Sequence, residues 1–473
     1  MRLSVLALVD RLRPGPLRDR LTPIATLADE TLSGSGDRAV SSRVALLAFI
    51  ARVVSAIIAL GSQVLMARWL GEHEYGVFVV VWVAAVIVGG FASIGFQMST
   101  LRFIPEYIAR KRNGLLRGIV RGAPLYGLAA ATLVALIGAG ALALFGDALA
   151  SYYVMPFFLA AICLPMLAVS EIQDGVARAF TWPGLALAPT FIYRPLAIIG
   201  FMYAALQMGA EPDAITAMWA TIAACYLVTI GQALALRRRT RRVVPSGRRI
   251  YRPAFWVAIS LPMFLVEGFY NLMTNVDILV VGALMEPDRA GVYFATVKTL
   301  ALVHFVYFAV RAAAANRFAQ YHHSGDRIRM EGFIRDTLHW TFWPAIAISI
   351  ALLVLGKPLL SLFGPGFVDG YPLLYIFVVG LIVRASVGPA ESILTMVGEQ
   401  RICAAIYVSV FALGAALNFL LIPIWGLSGA AIATSLAFVL EAAALAIVVY
   451  TRLGYRSWIG FAFGPVQRPA EAG

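Results

Sequence analysis

Residues 237–252 read RRRTRRVVPSGRRIYR, eight arginines in sixteen positions with no acidic side chain among them. The stretch lies near the middle of 473 residues, and the segments on either side are apolar and long enough to span a bilayer. A basic run between such neighbours reads as a hydrophilic linker held in the cytoplasm by its charge, since lysine and arginine are retained on that side of a membrane. A nucleic-acid patch fits poorly with the hydrophobic flanks.

Composition sets the class. Hydrophobic residues make up 61% of the chain and charged residues 13%, with a mean hydropathy of +0.83. Soluble domains are about 45–50% apolar, so this is an integral membrane protein. No period-two pattern of a barrel appears, so the backbone must satisfy its hydrogen bonds within helices of about 20 residues each. Cys163, Cys225 and Cys403 lie far apart, and no CxxC or histidine-rich spacing points to a metal or redox centre. Residues 1–9 carry a short apolar run without a small-residue cleavage site, which reads as an interfacial helix leading into a flexible tail rather than a cleaved signal.

Counting outward from the arginines, apolar windows fall at 44–66, 76–98, 122–145, 154–170, 188–208 and 214–236, and then at 254–284, 291–315, 337–356, 371–397, 403–423 and 430–450. The seventh is long enough to tilt. With 237–252 placed inside, 30 of the 38 Lys+Arg fall on the cytoplasmic side, three (Arg68, Arg289, Lys357) on the other, and five within spans. That asymmetry predicts twelve spans in the cytoplasmic (inner) membrane, with both termini cytoplasmic.

A repeat is visible. LGEHEYGVF at 70–78, entering span two, echoes LMEPDRAGVY at 284–293, entering span eight, and Gly76 and Gly291 are 215 positions apart. The LFG at 144–146 after span three returns at 362–364 after span nine. The expected architecture is therefore all-α, twelve transmembrane helices in two parallel six-helix halves around a central cavity. Its parts are a basic tail (1–43), an amino-terminal half (44–236), the linker (237–253), a carboxyl-terminal half (254–450) and a second tail (451–473).

NFLLIPIWGLSGAAIATS at 418–435 resembles a signature of the polysaccharide-transport branch, the Wzx-type flippases, of the multidrug/oligosaccharidyl-lipid/polysaccharide exporter superfamily. Trp69 to Gly71 with Tyr75-Gly76, Arg102 with Pro105-Glu106-Tyr107, Asp277 to Gly282 with Gly291 to Tyr293, and Gly398 to Arg401 resemble it in the same order. The residues of the first motif also have a packing account: Pro423 and Gly426 turn the chain, and the small residues from Ala430 to Ser435 let helices approach closely. The resemblance implies movement of undecaprenyl-pyrophosphate-linked oligosaccharides for lipopolysaccharide or exopolysaccharide synthesis. Such movement makes no bond and needs no enzyme chemistry.

Ionisable residues inside spans mark functional sites by default. Arg52 and Gln63 lie on a polar stripe of span one; Arg194 precedes Pro195 in span five; Glu267 and Asp277 are in span seven; Lys298 and Arg311 in span eight; Arg384 and Glu391, seven residues apart on one stripe, in span ten; Glu441 in span twelve. Arg52, Gln63, Lys298, Arg384, Arg194 and Arg311 are the candidate head-group residues, because guanidinium groups grip phosphate oxygens bidentately. Glu267, Asp277 and Glu391 are the candidates for proton or sodium coupling, with no other cofactor. The expected partners are a lipid-linked oligosaccharide, membrane lipids and the polysaccharide polymerase machinery, with no nucleic acid. The rival readings are a multidrug or peptidoglycan-precursor exporter, or a membrane polysaccharide polymerase or ligase, the last disfavoured by short outward loops.

Overall fold

The structure, a computed structural model, describes residues 37–462. The tails at 1–36 and 463–473 lie outside the described residues, as do the side chains of Arg52 and Glu267. The chain divides into two compact units, Met1–Ala59 and Leu60–Gly473. In the first, the described residues are helical from Asp37 onward. The second holds every helix that begins after Ala59.

The helices are α1 (Asp37–Ala92), α2 (Phe96–Ala109), α3 (Asn113–Phe145), α4 (Ser151–Ala179), α5 (Pro183–Ala188), α6 (Arg194–Gln207), α7 (Ala214–Val243), α8 (Pro253–Met273), α9 (Val276–Leu284), α10 (Pro287–Ser324), α11 (Arg327–Ser361), α12 (Tyr371–Ala385), α13 (Ala390–Val397), α14 (Gln400–Val448) and α15 (Ile459–Ala462). No strand occurs among the described residues. Eight helical stretches among the described residues are long and apolar enough to cross a membrane by themselves. Two of these, Val54–Ala92 and Gln400–Leu453, run 39 and 54 residues, well beyond the roughly 20 that one crossing needs, and each holds two spans. They divide at Gly71 (φ 74°) and Gly426 (φ 57°), left-handed backbone that glycine adopts without a Cβ clash. The pair α8 and α9 forms span seven and α10 span eight, which brings the total to twelve, six on each side of the arginine linker.

Helix ends follow local chemistry. Asp213 accepts from the Thr216 amide at 2.8 Å and starts α7, and Asp326 accepts from the Arg329 amide at 3.0 Å and starts α11; both are side-chain caps on otherwise unpaired N–H groups. Two long expected spans are broken. Span seven stops at Met273 because Asn275 turns its amide onto the Asn271 carbonyl at 2.9 Å, competing with the helix ladder. Span ten stops after Ala385, where Gly388 takes φ 61° and Pro389 follows. Arg384 and Glu391 therefore do not share one continuous helical stripe, as their spacing alone suggested.

The small residues of the 418–435 motif do what their size allows. Gly429, Ala430 and Ala431 are buried, and Ser435 donates to the Ile376 carbonyl at 3.0 Å where α14 crosses α12.

The repeat glycines meet each other. A Cβ on Gly76 would collide with the Pro287 carbonyl, and one on Gly291 would stand 2.9 Å from the Glu72 carbonyl and 3.4 Å from Gly76 Cα. His73 Nδ1 and Asp288 Oδ1, also 215 positions apart, are 2.9 Å apart. Equivalent residues touch only where they flank the axis that relates two copies, so this crossing marks the two-fold relation between the repeats. It lies at the end of the spans opposite the arginine stretch. Gly76→Val is expected to lower the thermal midpoint of the purified protein, since overpacking costs about 1–3 kcal/mol. Gly90→Ala, with open space beside it, serves as the neutral control in the same melt.

Candidate functional site

Two ion pairs join described intramembrane charges of the carboxyl-terminal half. Arg384 Nη2 donates to Glu441 Oε1 at 2.9 Å, with both side chains almost wholly buried. The guanidinium also lies 5.1 Å from the ring centres of Tyr307 and Phe438. Arg311 Nη2 is 2.9 Å from Glu391 Oε1, and Tyr307 donates to Glu391 Oε2 at 3.2 Å. The two pairs share Tyr307, so they form one network joining α10, α12, α13 and α14. Within it Arg311 is the open member, 35% exposed, while Arg384 and Glu441 are sealed.

A second cluster begins where span seven breaks. Asp277, in the first turn of α9, is buried and accepts from its neighbour Ile278 N at 2.9 Å, from the Tyr293 hydroxyl at 2.8 Å and from Thr434 at 3.2 Å. Lys298, half-buried, lies within electrostatic reach of Asp277 and places its ammonium 4.7 Å from the Phe294 ring centre. The remaining expected residues are separate from these clusters. Arg194 is buried against Ser170, donating to its hydroxyl at 2.7 Å. Gln63 accepts from the Tyr75 hydroxyl at 3.0 Å.

The structure thus brings together Arg311 with Glu391 and Lys298 with Asp277, pairs Arg384 with Glu441 instead of leaving it on a stripe with Glu391, and sets Arg194 and Gln63 inside the amino-terminal half. One buried acid was passed over in the sequence. The apolar window of span four ends at 170, but α4 continues to Ala179. Asp174 is consequently buried, accepting from Gln232 at 2.7 Å and Thr190 at 2.9 Å. The signal was the spacing of Ser170 and Asp174, one helical turn apart on the face that meets α7. No group of acids, histidines or cysteines among the described residues could hold a metal ion.

A cavity of about 440 Å³ opens elsewhere, between α1, α3 and α4, lined by Ala84, Val88, Val134, Gly138, Phe145 and Leu164 among others, all apolar. It offers nothing to an anionic or cationic head group.

Contacts between the halves at the end opposite the arginines are polar as well as tight. Arg68 donates from Nε to the Leu362 carbonyl at 2.6 Å and from Nη2 to the Ser361 carbonyl at 2.7 Å, at the carboxyl end of α11, where carbonyls lack helical partners and attract cations. Tyr153 donates to the Gly282 carbonyl at 3.3 Å.

Residues 262–420 match the MatE family. The matched stretch falls within the carboxyl-terminal half of the chain. This multi-pass membrane protein is 21% identical over 417 residues to a Shigella flexneri protein named "Putative O-antigen transporter", covering 85% of its own chain and 95% of the relative. Its fold is similar to the lipid II flippase MurJ in an inward closed conformation (TM-score 0.68, 16% identity, 85% of this chain and 87% of that one). It is also similar to a multidrug resistance MATE family transporter of the MOP superfamily in an inward-facing conformation (TM-score 0.66, 12% identity, 85% and 94%).

Removing one partner of a sealed ion pair strands the other in low dielectric at about 3–5 kcal/mol, whereas replacing both by apolar groups is often neutral. Glu441→Gln and Arg384→Met are each expected to cut thermal stability sharply. The Arg384→Met/Glu441→Leu double variant should recover most of the loss, a non-additivity read directly from melts of the four proteins.

Proposed function

We propose that this membrane protein is a transporter, a flippase that moves a polyprenyl-pyrophosphate-linked oligosaccharide across the cytoplasmic membrane, both termini facing the cytoplasm, for lipopolysaccharide or exopolysaccharide synthesis. The observation that carries this reading is the charge balance of the carboxyl-terminal half. Export of an organic cation calls for carboxylates held free to receive it. Here Glu391 and Glu441 are engaged by Arg311 and Arg384, and Asp277 by three hydrogen bonds with Lys298 nearby. The positive members, Arg311 and Lys298, are the ones left partly open, which suits a pyrophosphate. The resemblance to a relative named for O-antigen, and the MurJ-like fold, support a lipid-linked substrate.

In this reading Gln63, Lys298 and Arg311 receive the head group, and Arg52 is a candidate by its place in the sequence alone. Arg384 and Arg194, sealed within their own halves, position the helices around it. The head group enters from the arginine side while the Gly76–Gly291 crossing is closed, and its binding favours the alternative state by differential affinity. Coupling to a proton or sodium ion falls to Asp277, Glu391 and Glu267. Movement of the finished unit then supplies the polysaccharide polymerase machinery.

In proteoliposomes the wild type is expected to flip a fluorescent lipid-linked oligosaccharide and to leave a cationic dye where it was loaded; dye export without lipid movement would overturn the assignment. Lys298→Ala should slow flipping by about ten-fold or more, equivalent to roughly 1.4 kcal/mol of lost stabilisation. Its unchanged melting curve would separate a transport defect from a folding one. A cysteine pair, His73→Cys with Asp288→Cys, bridged by a short cleavable thiol-reactive linker, is expected to arrest transport until the linker is cut. Continued flipping in the bridged state would exclude opening at this crossing.

A further inference from the structure

The arginine stretch is a built surface rather than a slack tether. Its first five arginines extend α7 to Val243, and the remainder is strapped onto the start of α3. Arg117 donates from Nε to the Arg248 carbonyl at 2.9 Å and from Nη1 to the Pro245 carbonyl at 2.9 Å and the Ser246 carbonyl at 3.4 Å. The Ile250 amide donates to the Gly114 carbonyl at 2.9 Å. Four hydrogen bonds thereby fasten the strap to α3.

The outward side of this strap has two components. All eight of its arginines are exposed, and among the described residues no carboxylate is paired with any of them. Arg110, Lys111, Arg112 and Arg121 on the adjoining α2–α3 turn and first turns of α3 are exposed too, and Glu106, the acid of that turn, is taken by Arg110 at 2.9 Å. Apolar side chains are set among the guanidiniums: Val243, Ile250, Tyr251 and Phe255 are between 41% and 56% exposed. Arg239 lies 4.8 Å from the Trp182 ring centre, so an aromatic ring sits beneath the cluster. Free phosphate and pyrophosphate have no apolar part and engage charge alone. Charge interleaved with exposed aliphatic and aromatic groups, at the ends of spanning helices, matches the boundary between lipid head groups and acyl chains.

We propose that this strap is a binding surface for anionic phospholipid head groups, seating the amino-terminal half on the charged leaflet while the rest of the transporter moves. The guanidiniums engage lipid phosphates, and Val243, Ile250, Tyr251 and Phe255 dip toward the acyl chains. The proposal is independent of the transported substrate.

The test uses the full chain purified in neutral detergent and placed in nanodiscs of phosphatidylcholine with or without phosphatidylglycerol. Phosphatidylglycerol is expected to raise the thermal midpoint of the wild type, to remain bound in native mass spectra, and to lose its effect at high salt. A variant carrying Arg238→Gln, Arg241→Gln, Arg248→Gln and Arg249→Gln should bind it about ten-fold or more weakly, as each basic residue near the surface adds to the attraction. The corresponding lysine variant should keep most of the binding, and cysteine accessibility of the strap checks that both are inserted in the native orientation. Equal phosphatidylglycerol retention by the glutamine variant would overturn the proposal. So would displacement of the lipid by inorganic pyrophosphate at comparable concentration, which would make this a site for free anions.

Discussion

Burying a charge in a helical bundle within a membrane costs several kcal/mol unless a partner and further hydrogen bonds compensate. The carboxyl-terminal half is arranged around that constraint. Arg384 and Glu441 sit on α12 and α14, and their 2.9 Å contact requires these helices to pack tightly. The Ser435 contact with the Ile376 carbonyl and the small residues around it make that approach possible. Arg311 and Glu391 tie α10 to α13 in the same network through Tyr307. The break in span seven answers the same need. Interrupting the helix after Met273 puts Asp277 at the start of a new helix, where its carboxylate meets an amide, a phenol and a hydroxyl together.

The second constraint is the crossing of the repeats. Gly76 and Gly291 let two backbones approach to a distance that any side chain would prevent, while Arg68 grips two carbonyls at the end of α11 from the other half. Large buried rings surround this backbone contact, Tyr75 lying edge-on to Phe294 and Phe367 with ring centres 6.1 and 5.7 Å apart, so the crossing is held by aromatic packing as well as by its polar ties. The arginine strap adds the complementary feature at the other end of the spans. Held by Arg117 to α3, it makes linker and amino-terminal half one rigid element. The start of α8 is tied to the same half, Trp256 donating to the Tyr107 hydroxyl at 2.8 Å and accepting from Ser99 at 3.1 Å.

Much of this was legible without coordinates. The twelve spans follow from hydropathy because a backbone in hydrocarbon has few options beyond the helix. The repeat was readable from LGEHEYGVF and LMEPDRAGVY, and its 215-residue offset reappears as the separation of His73 from Asp288. The candidate charges were legible as a set, since any ionisable group in a span draws notice. Their partners were not. Arg384 was set on a stripe with Glu391 by helical spacing, and the chain breaks at Gly388 and Pro389 between them. Asp174 escaped because α4 outruns its apolar window.

Sequence by itself determined the class, the number of crossings, the repeat and the list of charged residues, because each depends on local composition read against a slab of known thickness. Tertiary structure alone decided which acid neutralises which base, and so which cations stay open to a substrate. Arg384 reaches Glu441 across 57 residues and Arg311 reaches Glu391 across 80. Pairing at such separations is set by how helices lean on one another, and that depends on the size of residues such as Gly380 and Ser435, which carry no charge at all.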